Sequence, residues 1–261
     1  MIESNKLSNL MAEGQVALGT WNLLNDQSII EILASVQFDF VIIDMEHGAH
    51  TFDQAMNLIR AAEARGIVPL LRPNGVDESC ILRALDCGVH GLMVPNINSI
   101  KQVEELIKFT YYPPIGDRGH SPFTRAGKFN YLNSTVRMEE LNLNTFLGIL
   151  IEGTEGINQL ESILNSFSEY LDLVYVGVYD LAKSVGSPGD IKSPKVITYI
   201  KEITSICLSR EVNVGILCND IEMLDMAKRN GIKFICYQND TGIFYEASKN
   251  ISSKAKEKID L

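Results

Sequence analysis

Eight short, almost continuously apolar runs recur along the chain, and stretches long enough for helices lie between them; this alternation restricts the fold more than any other feature. The runs fall at 16–21, 40–43, 68–71, 91–94, 146–151, 173–176, 212–217 and 234–237. A strand with one wet face alternates polar and apolar residues. A strand buried on both faces does not, and parallel strands beneath crossover helices are of that second kind. Helix starts are marked by Asp26 or Ser28, Thr51, Asp77 and Ser99, whose side chains can accept from the free amides of a first turn. Gly66, Gly88 and Gly231 each stand between such a helix and the next apolar run, where a left-handed residue ends the helix. With 261 residues, the chain has the length of one α/β domain, a (β/α)8 TIM barrel spanning 1–261.

One connection departs from the rhythm. Residues 111–145 are rich in Gly, Pro, Asn and Arg and too long for an ordinary link, which marks a functional loop or an oligomer contact. From 241 to 261 the pattern predicts a final helix, with Ile243, Phe244, Ala247 and Ile251 at helical spacing; it either covers its own barrel or docks on a neighbour. A formal net charge of -10 and no dense Lys/Arg run argue against nucleic acid as a partner. The start carries an acid and no long apolar stretch before Trp21, so neither a leader peptide nor a membrane anchor is expected, and a cytoplasmic protein is. Five cysteines with no Cys-x-x-Cys pair are expected to be free thiols.

Candidate chemistry sits at the ends of the apolar runs. In an alternating barrel these ends converge on one face, so Asp44, His47, Arg72, Glu152 and Asp180 can meet there despite their separation. Glu152 and Asp180 are candidate ligands for a hard divalent cation such as Mg²⁺ or Mn²⁺, with Co²⁺ as a further option, leaving positions open for water and a chelating substrate. The competing reading of Asp180 is a helix cap. Arg72 follows an apolar run, and its fork of donors suits a carboxylate or a developing enolate oxygen; the competing reading is a structural ion pair. His47, three residues after Asp44 and beside Glu46, can be a base oriented by a carboxylate. His50, His90 and His120 read as structural, Trp21 as pocket wall or packing, and Arg118 as substrate contact or loop scaffold.

Taken in order, Gly19-Thr20-Trp21, Ile43-Asp44-Met45-Glu46-His47, Arg72-Pro73, the 112–119 segment, Glu152 and Gly177-Val178-Tyr179-Asp180-Leu181 resemble the HpcH/HpaI aldolase family of class II pyruvate aldolases. The resemblance implies a (β/α)8 barrel, a hexamer exchanging its C-terminal helix, and a divalent metal held by Glu152 and Asp180. It implies cleavage of a 4-hydroxy-2-oxo acid to pyruvate and an aldehyde. Arg72 would hold the keto oxygen, His47 with Asp44 would serve acid/base chemistry, and Glu46 would lie one shell out. Trp21 and Tyr179 would meet the substrate with Arg72 and Asp180. Val178 and Tyr179 stand where the family usually has proline and a small residue, and Met45 where glycine is common, so a narrowed pocket is expected.

Three alternatives accompany this reading. A citrate-lyase-like thioester lyase or an oxaloacetate-type decarboxylase would use much the same metal and arginine. A Schiff-base aldolase would need Lys183, which falls in a helix's first turn. A non-catalytic, acid-binding barrel would leave the cluster of acids, arginine and histidine without a purpose.

Overall fold

The computed structural model describes residues 6–259; the first five, on which the leader expectation partly rests, lie outside them. Helix α1 (Lys6–Ala12) leads into eight parallel strands that close in chain order: β1 (Ala17–Asn22), β2 (Phe40–Asp44), β3 (Val68–Arg72), β4 (Gly91–Val94), β5 (Phe146–Ile151), β6 (Leu173–Val176), β7 (Asn213–Cys218) and β8 (Phe234–Asn239). Helices α2 (Gln27–Ser35), α3 (Phe52–Arg65), α4 (Glu78–Asp86) and α5 (Ile100–Thr110) connect the first strands. Helix α6 (Ser134–Asn144) lies in the long insertion, followed by α7 (Thr154–Phe167), α8 (Val178–Ser184), α9 (Pro194–Leu208), α10 (Ile221–Arg229) and α11 (Asp240–Ile259).

Continuous apolar runs become strands because both faces are covered. In β2, β3 and β5 every residue is buried. Alternate side chains pack outward against the helices and inward with Phe40, Phe146, Leu150, Tyr175 and Phe234. Phe40 and Phe234 stack with centroids 3.9 Å apart. Gly19 makes room for that stack, since a Cβ there would lie 2.3 Å from the Phe40 ring. At the amino-terminal end, Leu7 and Met11 of α1 join the interior cluster, and Lys233 Nζ donates to the Met11 carbonyl at 2.9 Å.

The helix starts and stops follow the sequence signals. Asp26, Thr51, Asp77 and Ser99 each accept from a first-turn amide, and Thr51 forms a reciprocal capping box with Gln54. Gly66, Gly88 and Gly231 adopt positive φ. Within the insertion, Arg118 is buried, donates to Asp86 Oδ1 at 2.9 Å and stacks over Tyr112, so it fastens the loop to the end of α4. The final helix does not cover its own barrel: from 244 to 259 every residue is exposed, and Asp240 is its only buried residue among those described. Among the described residues no helix is long and apolar enough to cross a membrane.

Candidate active site

Strand ends β1, β2, β3, β5 and β6 bring Trp21, Asp44, Arg72 and Glu152, together with His47 and Asp180, around one cavity of about 170 Å³. The β2–β3 register sets Asp44 opposite Arg72, and the two side chains meet in a fork: Nε to Oδ1 at 2.8 Å and Nη2 to Oδ2 at 2.5 Å. Glu46 holds Nη1 at 3.0 Å, and the guanidinium carbon lies 4.4 Å from the Trp21 ring centroid. Burial alone would lower the Arg72 pKa, but the Asp44 hydrogen bonds and the carboxylates of Asp44, Glu46 and Glu152 outweigh it, and the shift is upward. Trp21 is fixed in turn, with its indole N–H donating to the Tyr175 hydroxyl at 2.9 Å.

The ion-pair reading of Arg72 is observed, and the paired side chain also lines the cavity. The expected pairing of Asp44 with the His47 imidazole is corrected. Asp44 Oδ1 accepts from the backbone amides of Glu46 and His47 at 3.0 and 3.2 Å, while both carboxylate oxygens are taken by Arg72. The reason is cross-strand register, which places the guanidinium beside Asp44; His47 is exposed and lines the cavity.

On the opposite side, Glu152 is buried just after β5 and accepts from the Asn96 backbone N–H through Oε1 at 2.7 Å. Asn96 has positive φ, and its side-chain amide donates to Glu46 Oε1 at 3.2 Å, so one residue spans two carboxylates. The other Glu152 oxygen lies against Gly177, where a Cβ would stand 2.5 Å away. Burial pushes the Glu152 pKa up, and the charges of Glu46 and Asp180 push the same way; the Asn96 amide and Arg72 only partly offset them. Asp180 occupies the first turn of α8 and is exposed; Gly177 takes the cap position, so the capping role is not observed.

Lys183 points outward, 78% exposed and 4.0 Å from Asp180, and does not line the cavity, which removes the Schiff-base reading. Met45 packs against the helix layer instead of narrowing the cavity, whereas Tyr179 lines it. His50 is buried with Nε2 3.3 Å from the Asn22 carbonyl, His90 pairs with Glu63, and His120 lies edge-on to Tyr112. The cysteines are free, and burial pushes the Cys207 and Cys218 thiols up to about 12. Asn96, Tyr175, Asn219 and Asp240 escaped the sequence reading. Their roles come from contacts across the barrel, for which the local pattern holds no signal.

Fold and site together define a (β/α)8 barrel with its polar cluster at the carboxyl-terminal mouth, where barrels of this type keep their active sites. The chain belongs to the HpcH/HpaI aldolase/citrate lyase family, whose model matches residues 17–247. It is 28% identical to 2-keto-3-deoxy-L-rhamnonate aldolase of Klebsiella pneumoniae, covering 94% of this chain and 90% of that protein. It is 26% identical to 5-keto-4-deoxy-D-glucarate aldolase of Shigella boydii, over 97% of each. Among solved structures, an HpcH/HpaI aldolase from Desulfitobacterium hafniense superposes with a TM-score of 0.89 at 26% identity, over 96% of each chain. The citrate synthase SbnG superposes with a TM-score of 0.87 at 27% identity, over 98% of this chain and 99% of that one.

Proposed function

We propose that the chain is a cytoplasmic, divalent-metal-dependent aldolase that reversibly cleaves a 4-hydroxy-2-oxo acid to pyruvate and an aldehyde. The observation that carries this reading is the charge balance at the mouth. Glu46, Glu152 and Asp180 stand near a single guanidinium already paired with Asp44, and Glu152 has a raised pKa. Such an excess of negative charge around the buried Glu152 would be resolved by a bound cation. Carboxylate oxygens suit Mg²⁺ or Mn²⁺, and Glu152 and Asp180 would hold the ion. Among the described residues no group of three or more His, Cys, Asp or Glu could hold a metal, so two carboxylates would leave most positions to water and substrate. When bound, the ion supplies positive charge to the oxygen that becomes an enolate.

The chain's own residues supply the rest. Arg72, locked by Asp44, Glu46 and Trp21, presents its guanidinium to the keto oxygen at no cost in reorganisation. His47, exposed on the rim, takes the proton of the C4 hydroxyl as the C3–C4 bond breaks. The electron pair of that bond passes to C3 and the keto oxygen, the aldehyde departs, and protonation at C3 yields pyruvate. A homo-oligomer, a hexamer in this reading, is supported by the exposed Phe244, Tyr245 and Ile251 on α11. Light scattering of the purified protein tests it.

The similarity to a citrate synthase supports a second reading, in which an acyl thioester supplies the enolate. Exchange of pyruvate methyl protons in D2O, followed by NMR, separates the two. Exchange that needs Mg²⁺ or Mn²⁺ and is lost with EDTA and in Glu152→Gln supports the aldolase. Absence of exchange, with turnover of acetyl-CoA and oxaloacetate, replaces it with the synthase.

A further inference from the structure

We propose that Tyr179, held across the mouth by Asn219, is the wall that limits the second substrate to short aldehydes; the inference rests on the aldolase reading. Tyr179 precedes Asp180 on the first turn of α8 and lines the cavity with half its surface exposed. Its hydroxyl accepts from Asn219 Nδ2 at 2.6 Å, and Asn219 follows β7, so the contact bridges the ends of β6 and β7. Asn219 is anchored behind: its carbonyl accepts from Gln238 Nε2 at 3.3 Å, and the Gln238 carbonyl accepts from Thr20 Oγ1 at 3.1 Å. A ring tethered in this way is a fixed boundary of the cavity.

The space agrees. The cavity of about 170 Å³ lies below the roughly 300–1,000 Å³ typical of sites for larger ligands, and the keto acid must share it. An aldehyde with one or two further carbons fits what remains; a longer chain meets the Tyr179 ring.

The test compares glycolaldehyde and pentanal as partners for pyruvate, in wild type, Tyr179→Ala, Tyr179→Phe and Asn219→Ala. Each kcat/KM is set against that variant's own pyruvate methyl exchange, which needs no aldehyde. Wild type is expected to prefer glycolaldehyde. Tyr179→Ala is expected to raise pentanal relative to glycolaldehyde by about tenfold or more, the range that pocket size alone controls. Tyr179→Phe and Asn219→Ala should fall between, because the ring remains but its tether is gone. Exchange with an unchanged pentanal ratio in Tyr179→Ala would overturn the wall. Absence of exchange and of turnover with every aldehyde would instead overturn the aldolase reading, and the wall with it.

Discussion

The two ends of the barrel use similar residues to opposite ends. At the amino-terminal face the larger cavity, about 690 Å³, is lined by Glu63, His90, Arg125, Arg137 and Glu140, and each of these charges has a partner. Glu63 takes His90 at 2.9 Å and also Arg125. Burial would raise the Glu63 pKa, but the hydrogen bonds from His90 and Arg125 outweigh it and hold the carboxyl below its ordinary range. At the carboxyl-terminal face the cavity is smaller, the acids outnumber the single guanidinium, and Glu152 is pushed up instead. Cavity size and charge balance therefore point to opposite ends of the barrel. The matched Arg72 and Asp44 also line the smaller cavity, so it is the unmatched acids that single out this face as the candidate site.

Asp44→Ala gives the largest expected effect, because Asp44 is the matched member of the functional face. Removing it leaves the buried Arg72 without its fork partner, which costs about 3–5 kcal/mol of stability. Denaturant midpoints should fall and pyruvate exchange should vanish together. Glu152→Gln should separate the two properties. Exchange is expected to drop by about 10²–10³, the usual cost of losing one preorganised electrostatic group, while the midpoint of the metal-free protein holds or rises. A midpoint that fell as far as in Asp44→Ala would erase the distinction between matched and unmatched acids at the mouth.

How much of this was legible before folding differs by residue. All eight strands lie within two residues of the apolar runs, since burial on both faces writes itself into continuous stretches. The acids and arginine at the strand ends were visible for the same reason: a charge after such a run has nowhere to go but the rim. Partner choice was not visible. Asp44 sits near His47 in sequence yet binds Arg72, 28 residues away, because the contact depends on β2–β3 register. Asn96 was missed because its contribution is mostly a backbone N–H, which any residue carries. Helix α6 was missed because its weak pattern buries no residue.

At the amino-terminal face, Glu63→Gln is expected to cost about 1–2 kcal/mol, less than a fully buried pair because Glu63 is partly exposed. Pyruvate exchange should be unchanged. The sign of its pH dependence follows from a lowered carboxyl pKa. Stability from Glu63 is present above the ordinary glutamate range and is lost as pH falls through the lowered folded value. The gap between wild-type and Glu63→Gln midpoints should therefore close on acidification. A gap that widened would place the stabilisation elsewhere than in the charged Glu63.

Asp240→Asn probes a buried acid at the mouth that is satisfied by N–H groups instead of a cation. Its carboxylate accepts from Asn22 Nδ2 at 2.7 Å and from the amides of Leu23 and Leu24 at 3.0 and 2.9 Å, which pins the end of β1 beside the cavity. Asparagine keeps the shape but turns one acceptor into a donor facing donors, a loss on the order of 1 kcal/mol. Trp21, one residue before Asn22, is the only tryptophan in the chain, so its fluorescence reports on this wall directly. Acrylamide quenching should increase in Asp240→Asn, and KM for the keto acid should rise more than kcat falls, because Arg72 keeps its own partners. Unchanged quenching would mean that the Trp21–Tyr175 contact holds the wall by itself; a fall in kcat as deep as that of Glu152→Gln would make Asp240 part of the reacting array.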